Sequence, residues 1–249
     1  YLSAQKYTEI GEHEKALSAY AKAINYAKKI NDKDTQANIY LNVAGIQDDN
    51  NKIVEALKCY NNAIKLSSET GNTITQAKAH YGMALIYDEI GNYDAAMGHY
   101  FAALSLDGEN ENLRSQALTL NDVGNMHVLR YEYENALDYY KEGLALAKEV
   151  PDAGIMGTIL GNTAGLFRNA GDDKKALKYY RDSIKCDRKA GKTLDCSKSF
   201  EQAGDIMLKL GNYSKAQSLY NKSLKIAFKE NDTETVKRLS EKLKQRKVS

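Results

Sequence analysis

Histidine and cysteine are the side chains best suited to metal binding or nucleophilic catalysis, and their spacing in this chain of 249 residues argues against both. His13, His80, His99 and His127 fall in four different predicted helices, with no HExxH pattern and no Cys at ligand spacing. His80 and His127 stand in helix columns that are mostly apolar or aromatic, so packing is their expected role. Cys59, Cys186 and Cys196 are odd in number and form no CxxC pair, which leaves no disulfide framework and fits a reducing compartment. Cys186 and Cys196 are near enough in sequence to meet across a turn, but Cys186 replaces Leu106 and Leu146 of its column and reads as a small buried hydrophobe. Gly191-Lys192-Thr193 ends a run that a phosphate loop would open with Gly, and Cys186 occupies that place, so a turn is expected there. No nucleophile has a recognisable base, and neither a catalytic residue, a metal ion nor a cofactor is expected.

Amides suit a binding task better. Asn42, Asn121, Asn125, Asn162 and Asn169 lie inside predicted helices, although Asn is a below-average helix former. An Asn side chain offers both a donor and an acceptor, and so can pair with the C=O and N–H of an extended peptide whatever its sequence. Bonds to adjacent helices or to water are the competing reading. Gly154, Gly157, Gly161 and Gly165 recur on one face of a single predicted helix, at a cost of about 1 kcal/mol each relative to Ala. That bare strip either admits a ligand close to the helix or lets the first helices of the fourth and fifth repeats pack tightly.

A forty-residue period positions all of these residues. Ala16, Ala56, Ala96, Ala136, Ala176 and Ala216 recur in register, each followed four positions later by Tyr20, Tyr60, Tyr100, Tyr140, Tyr180 and Tyr220. Ala4, Ala44, Ala84, Gly124, Ala164 and Gly204 form a second small column, and Ile24, Ile64, Leu104, Leu144, Ile184 and Leu224 an aliphatic one. Gly11, Gly91, Gly171 and Gly211 fill a turn column that Asn51 and Tyr131 break. Apolar residues at three and four spacings on either side of that column predict two amphipathic helices per period. In the third period these run from Thr73 to Ile90 and from Tyr93 to Leu106. No strand pattern occurs.

Composition agrees with a core-forming protein: 43% of residues are hydrophobic and 27% charged, and no apolar run approaches the roughly 18 to 20 residues of a membrane span. The formal net charge of +2 gives no general attraction to nucleic acid or anionic lipid. It is unevenly spread, with an excess of acid before residue 120 and of base after it.

These columns resemble the tetratricopeptide repeat (TPR) family, whose pattern is matched by Ala84, Tyr87, Gly91, Ala96, Tyr100 and Ala103. The resemblance covers residues 1 to 230. The family's early Trp is replaced by Tyr40, His80, Leu120, Leu160 and Phe200, and the Pro that ends the second helix of 34-residue units is missing, which lets that helix run longer and accounts for a period of forty. The variant is similar to the long repeats of Pins-type adaptors, kinesin light chains and bacterial peptide-pheromone receptors. The resemblance implies an all-α, right-handed TPR solenoid with six hairpins over residues 1–231. The first hairpin is truncated at its start, as expected of a piece of a longer protein. A capping helix follows over 232–249, with Asp232 or Thr233 as N-cap and Val236, Leu239 and Leu243 on its apolar stripe. Its basic cluster, Lys237, Arg238, Lys242, Lys244, Arg246 and Lys247, reads as a solvated face.

In this family the first helix of each hairpin lines a concave groove. The register then assigns Asn42 and Asp48, with Asp49, to the second unit, Asp88 and Glu89 to the third, Asn121 and Asn125 to the fourth, Asn162, Arg168 and Asn169 to the fifth, and Lys198, Glu201, Gln202, Asp205 and Lys209 to the sixth. Gly82, Asp122 and Gln202 depart from the family's Asn at that column. The implied function is a non-catalytic adaptor that holds a protein or peptide ligand in the groove, monomeric and cytoplasmic, without nucleic acid or membrane. The alternatives are a ligand-sensing regulatory domain of a larger signalling or transcription protein, and a scaffold that self-associates end to end.

Overall fold

A computed structural model describes residues 1–244, which contain thirteen α-helices and no strand. They are α1 (Leu2–Glu9), α2 (His13–Lys29), α3 (Lys33–Asp49), α4 (Ile53–Thr70), α5 (Thr73–Glu89), α6 (Tyr93–Glu109), α7 (Leu113–Leu129), α8 (Tyr133–Glu149), α9 (Ala153–Asn169), α10 (Asp173–Ala190), α11 (Thr193–Lys209), α12 (Tyr213–Lys229) and α13 (Thr233–Lys244). The chain divides into two compact units, Tyr1–Thr119 and Leu120–Ser249, with α7 crossing the division. Within each unit consecutive helices pack on one another, and first helices also meet in the pairs α3 with α5 and α9 with α11. Among the described residues no helix is long and apolar enough to cross a membrane.

The repeated columns form the core. All six Ala of the first column, from Ala16 to Ala216, are fully buried, and the Tyr four residues on is at most 7% exposed in every repeat. A methyl group at the contact lets two helix backbones approach closely, and the Tyr ring fills the space beside it. The ring takes more room where the facing residue is Gly. A Cβ on Gly124 would lie 2.6 Å from Tyr140, and one on Gly204 would lie 2.7 Å from Tyr220. In both hairpins the ring leans far enough for its hydroxyl to donate to the residue after the Gly, Tyr140 Oη to Asn125 Oδ1 at 2.6 Å and Tyr220 Oη to Asp205 Oδ1 at 2.5 Å. Gly82 has a similar cause, since the ring of Tyr60 occupies the place its side chain would need.

The turns follow the same period. Left-handed backbone is found not only at the glycines but also at Asn51 (φ 62°) and Tyr131 (φ 61°), so the two residues that break the Gly column keep its conformation. Asn31, Gly71, Glu111, Gly191 and Asn231 adopt it between hairpins, which makes Gly191-Lys192-Thr193 the turn expected. Pro151 falls in that second column and cannot adopt a positive φ, and Val150 before it is extended (φ −103°, ψ 97°). Asp32, Asn72, Asp152 and Asp232 cap the helices that follow them by accepting from backbone N–H groups. The second helix of the third repeat continues to Glu109, past the expected end at Leu106, because nothing in Asp107-Gly108-Glu109 stops it.

Two clusters of polar side chains differ from expectation. His80 on α5 and His99 on α6 meet, Nδ1 to Nδ1 at 2.9 Å, and Tyr87 stacks on His99 with ring centroids 5.5 Å apart. Burial lowers the pKa of both rings, and for His80 the neighbouring His99 adds to the effect. On α13, Arg238 and Lys242 are partly exposed, as on a solvated face, but both also pair with carboxylates of α11. Arg238 donates two hydrogen bonds of 2.9 Å to Glu201 on α11, and Lys242 donates to Glu201 at 3.0 Å and to Asp205 at 2.8 Å. Burial opposes ionisation of Glu201, yet the two cations outweigh it and hold the carboxyl below its ordinary range. Leu239 is fully buried beside Tyr220 and Ala216, so α13 covers α12 with its apolar stripe and α11 with its cations. Arg246, Lys247 and the end of the expected capping helix lie outside the described residues. Cys186 is half-buried rather than buried, and Cys196 is buried.

Two outcomes follow from this packing. Gly204→Ala forces its methyl against Tyr220 and is expected to lower unfolding free energy by about 1 to 3 kcal/mol in urea denaturation. The histidine pair, whose folded pKa values lie below the ordinary 6.5, contributes stability that is full above pH 6.5 and lost as pH falls towards the depressed values. Replacing both residues with Leu, which stands at Leu120 and Leu219 in the same columns, is expected to flatten thermal stability between pH 7 and about pH 5.

Candidate functional site

A cleft of about 540 Å³ opens in the second unit, lined by α9 along one side, by α11 along the other and by α10 beneath. Six of the side chains assigned to the groove from sequence line it: Asn125, Asn162, Arg168, Asn169, Lys198 and Gln202. Asn121 lies behind them, only 4% exposed. Asn162 Nδ2 donates to Asn121 Oδ1 at 2.8 Å, and Asn121 Nδ2 donates to Asp122 Oδ1 at 3.0 Å. Asn125 donates to the same oxygen at 3.5 Å and accepts from Tyr140. Asn121 is thus a buried rung joining α7 to α9, as the competing reading of the amides has it, and the departure at Asp122 supplies the acceptor that ends the ladder. Burial and the charge of Asp122 push the Tyr140 hydroxyl above its ordinary range, which keeps it a donor.

The outer members of the set differ. Asn162 spends its N–H on Asn121, and among the described residues its Oδ1 accepts nothing. Arg168 and Asn169 carry no side-chain hydrogen bond or ion pair among the described residues. Gln202, in the column of Asn162, has a buried Oε1 with no partner among them. Lys198 is largely exposed and 3.7 Å from Asp195. Glu201 and Asp205 of the expected sixth stripe are taken up by α13, and Lys209 by Asp173 at 2.8 Å. What remains along the cleft is three amides with open valences, a guanidinium and an ammonium, able to meet peptide C=O and N–H groups and a carboxylate.

Helix α10 reaches the cleft through Tyr180, which the periodicity marks as a core ring, and through Ser183 and Asp187, which it does not single out. The glycine strip explains why they fit. Gly157 faces Asp187, where a Cβ would fall 2.8 Å from the carboxyl carbon and 3.2 Å from the backbone nitrogen, and Gly161 faces Ser183 at 3.3 Å. At Gly157 and Gly161 the strip therefore receives the second helix of its own hairpin, and at Gly154 it receives Lys192. Asp187 is 1% exposed; its Oδ2 accepts from Ser183 at 2.9 Å, and its Oδ1 has no partner among the described residues. Burial raises its pKa, and the Ser183 hydrogen bond only partly offsets that. Lys192, which stands where an N-cap residue does in other repeats, bonds instead to Gly154 O and Thr158 Oγ1, both at 3.1 Å.

The first unit holds the other three candidates. Asn42 donates to the Tyr1 hydroxyl at 3.0 Å. Asp48 has its pKa raised by burial and then by the charges of Glu89 and Asp49, so α3 and α5 present one acidic cluster there. Burial alone raises Asp88. Tyr60 beside them is pushed up to about 12 by burial and by Asp48 and Asp49. Among the described residues no group of three or more His, Cys, Asp or Glu is placed to hold a metal ion.

The family model described as "Soluble NSF attachment protein, SNAP" matches residues 2–148, and two models described as "Tetratricopeptide repeat" match 115–189 and 197–230. No curated protein matches the chain. Among solved structures it is similar to BtubC (BKLC) from P. vanneervenii, with 18% identity and a TM-score of 0.76 over 88% of this chain and 92% of that one. The apo form of RapI superposes at 0.73 with 14% identity over 93% and 97%. Aspartyl phosphate phosphatase F from Bacillus subtilis superposes at 0.71 with 15% identity over 98% and 68%. At these identities the likenesses show the fold, which is all-α and of TPR type.

Gly157→Ala drives a methyl group into Asp187 and is expected to destabilise the protein by about 1 to 3 kcal/mol. Adding Asp187→Ala, the residue found at Ala147 and Ala227 in that column, restores most of the loss. A double-mutant cycle in urea checks the coupling.

Proposed function

The chain belongs to a tetratricopeptide-repeat-type family, that of the SNAP model spanning residues 2–148, and we propose that it is a non-catalytic module that binds a protein or peptide segment in the cleft of its second unit. The observation that carries this reading is the set Asn162, Arg168 and Asn169, which lines one cleft and has hydrogen-bonding capacity that no side chain among the described residues uses. An extended segment would place backbone groups against Asn162, Asn169 and Gln202 and a carboxylate against Arg168 or Lys198. Asn121 contributes by holding Asn162 in place, and Asn125 through Tyr140. In the first unit Asn42, Asp48 and Asp88 would meet basic residues of a ligand. We assign six repeats to residues 1–231 and the cap to 232–249, and take the working form as a cytoplasmic monomer acting without nucleic acid or membrane.

The test is a random-peptide display selection on the wild-type protein, followed by fluorescence anisotropy of the enriched peptides on Asn162→Ala/Arg168→Ala/Asn169→Ala. Loss of three polar contacts, each contributing roughly 0.5 to 1.5 kcal/mol, is expected to weaken binding at least about tenfold. Unchanged affinity removes the cleft assignment.

A further inference from the structure

A second recess lies between α10 and α12 in the same unit, across α11 from the cleft described above. Helix α11 serves both: Lys198, Ser199 and Gln202 face the first cleft, and Phe200, Ala203 and Met207 floor the second. The recess has a volume of about 550 Å³, and its apolar floor is completed by Leu177, Ile184 and Leu219. Its rims are cationic on both sides. Arg181, Lys185 and Arg188 stand on α10, Lys215 and Lys222 on α12, and among the described residues no carboxylate lines the recess. Arg181 and Lys185 have Asp182 within 3.8 and 3.2 Å, whereas Arg188, Lys215 and Lys222 have no ion-pair partner among the described residues. Arg188 and Lys222 lean inward over Phe200, 5.4 and 5.7 Å from its ring centroid, and leave the ring 5% exposed.

We propose that this recess docks a short acidic segment of a partner protein, with a bulky apolar side chain inserted over Phe200 between carboxylates that meet the two rims. The dimensions fit such an occupant. Arg181 to Arg188 and Lys215 to Lys222 are each seven residues apart, about 10 Å of helix, the reach of about three residues of extended chain. Five cations around an apolar floor with a single nearby carboxylate form a site complementary to negative charge flanking a hydrophobe. Arg188 and Lys222 act as a cover, resting on the ring when the recess is empty and turning to the ligand's carboxylates when it is filled. A flat anionic membrane does not reach a floor recessed between two helices, and a nucleic-acid backbone has no apolar side chain to place there.

The experiment uses a fluorescein-labelled peptide pool with a central Phe or Leu flanked on both sides by Asp and Glu, and the same pool with Asn and Gln at those positions. The expected result is saturable binding of the acidic pool, weakened about tenfold by Arg188→Ala/Lys222→Ala and further by added salt. Binding is expected to be unaffected by Asn162→Ala/Arg168→Ala/Asn169→Ala, which separates this site from the first cleft. Circular dichroism checks that both variants remain folded. The proposal is overturned if the acidic pool binds no better than the amide pool, if the Arg188/Lys222 variant binds it equally well, or if phosphatidylserine vesicles and not the peptides show the dependence on these two residues.

Discussion

Two helices cannot approach closely while both present large side chains at the crossing, and every repeat meets that constraint in the same way. A fully buried Ala stands on the second helix, a small residue faces it on the first, and one Tyr ring fills what is left. The forty-residue period is this contact repeated, and its uniformity is what frees the rest of the surface to vary. Where the facing residue is Gly, the ring leans over it and its hydroxyl acquires a partner on the first helix, Asn125 in one repeat and Asp205 in another. A core contact thereby orders a polar side chain at the edge of a cleft.

Much of this is legible in the amino-acid sequence. The Ala and Tyr columns mark the buried contacts, the Asx residues of the capping positions mark helix starts, and Asn125, Asn162, Arg168, Asn169 and Lys198 share one cleft as their register suggests. What escapes the register depends on side-chain reach and not on spacing. His80 and His99 are nineteen positions apart on opposite helices of one hairpin, and only the packed hairpin reveals that they touch. Asn121 has the same residue type as Asn162 but is a buried rung, a difference set by which of the two amides lies behind the other. Gly157 gives a usable signal, since a side chain is missing where Asp187 needs the room, but the period alone does not say that the intruder comes from α10. The charge excess late in the sequence likewise does not say that Arg238 and Lys242 turn inward while Arg188 and Lys222 face a recess.

Helix α11 is where these features converge. It lends one side to a polar cleft with open amide valences and the other to an apolar recess with cationic rims. Its N-terminal end carries Cys196 and Ser197 into the core, where Ser197 Oγ donates to Ser223 O of α12 at 3.1 Å and Ser223 Oγ donates to Ser197 O at 2.8 Å. Both faces are therefore carried by a helix pinned at one end by buried polar contacts and near the other by α13, so their spacing is set by packing and not by loops.

The pairing of Glu201 with Arg238 and Lys242 also bears on how the protein comes apart. A helix packed along one side only ordinarily opens first, because its contacts are few and its separation costs little. Here separation would break the pairs of Glu201 with Arg238 and Lys242 and would also uncover Leu239, which is fully buried beside Tyr220 and Ala216. Helix α13 is thus tied to α11 and α12, and its amide protons should exchange with the cooperative opening of those helices and not ahead of them.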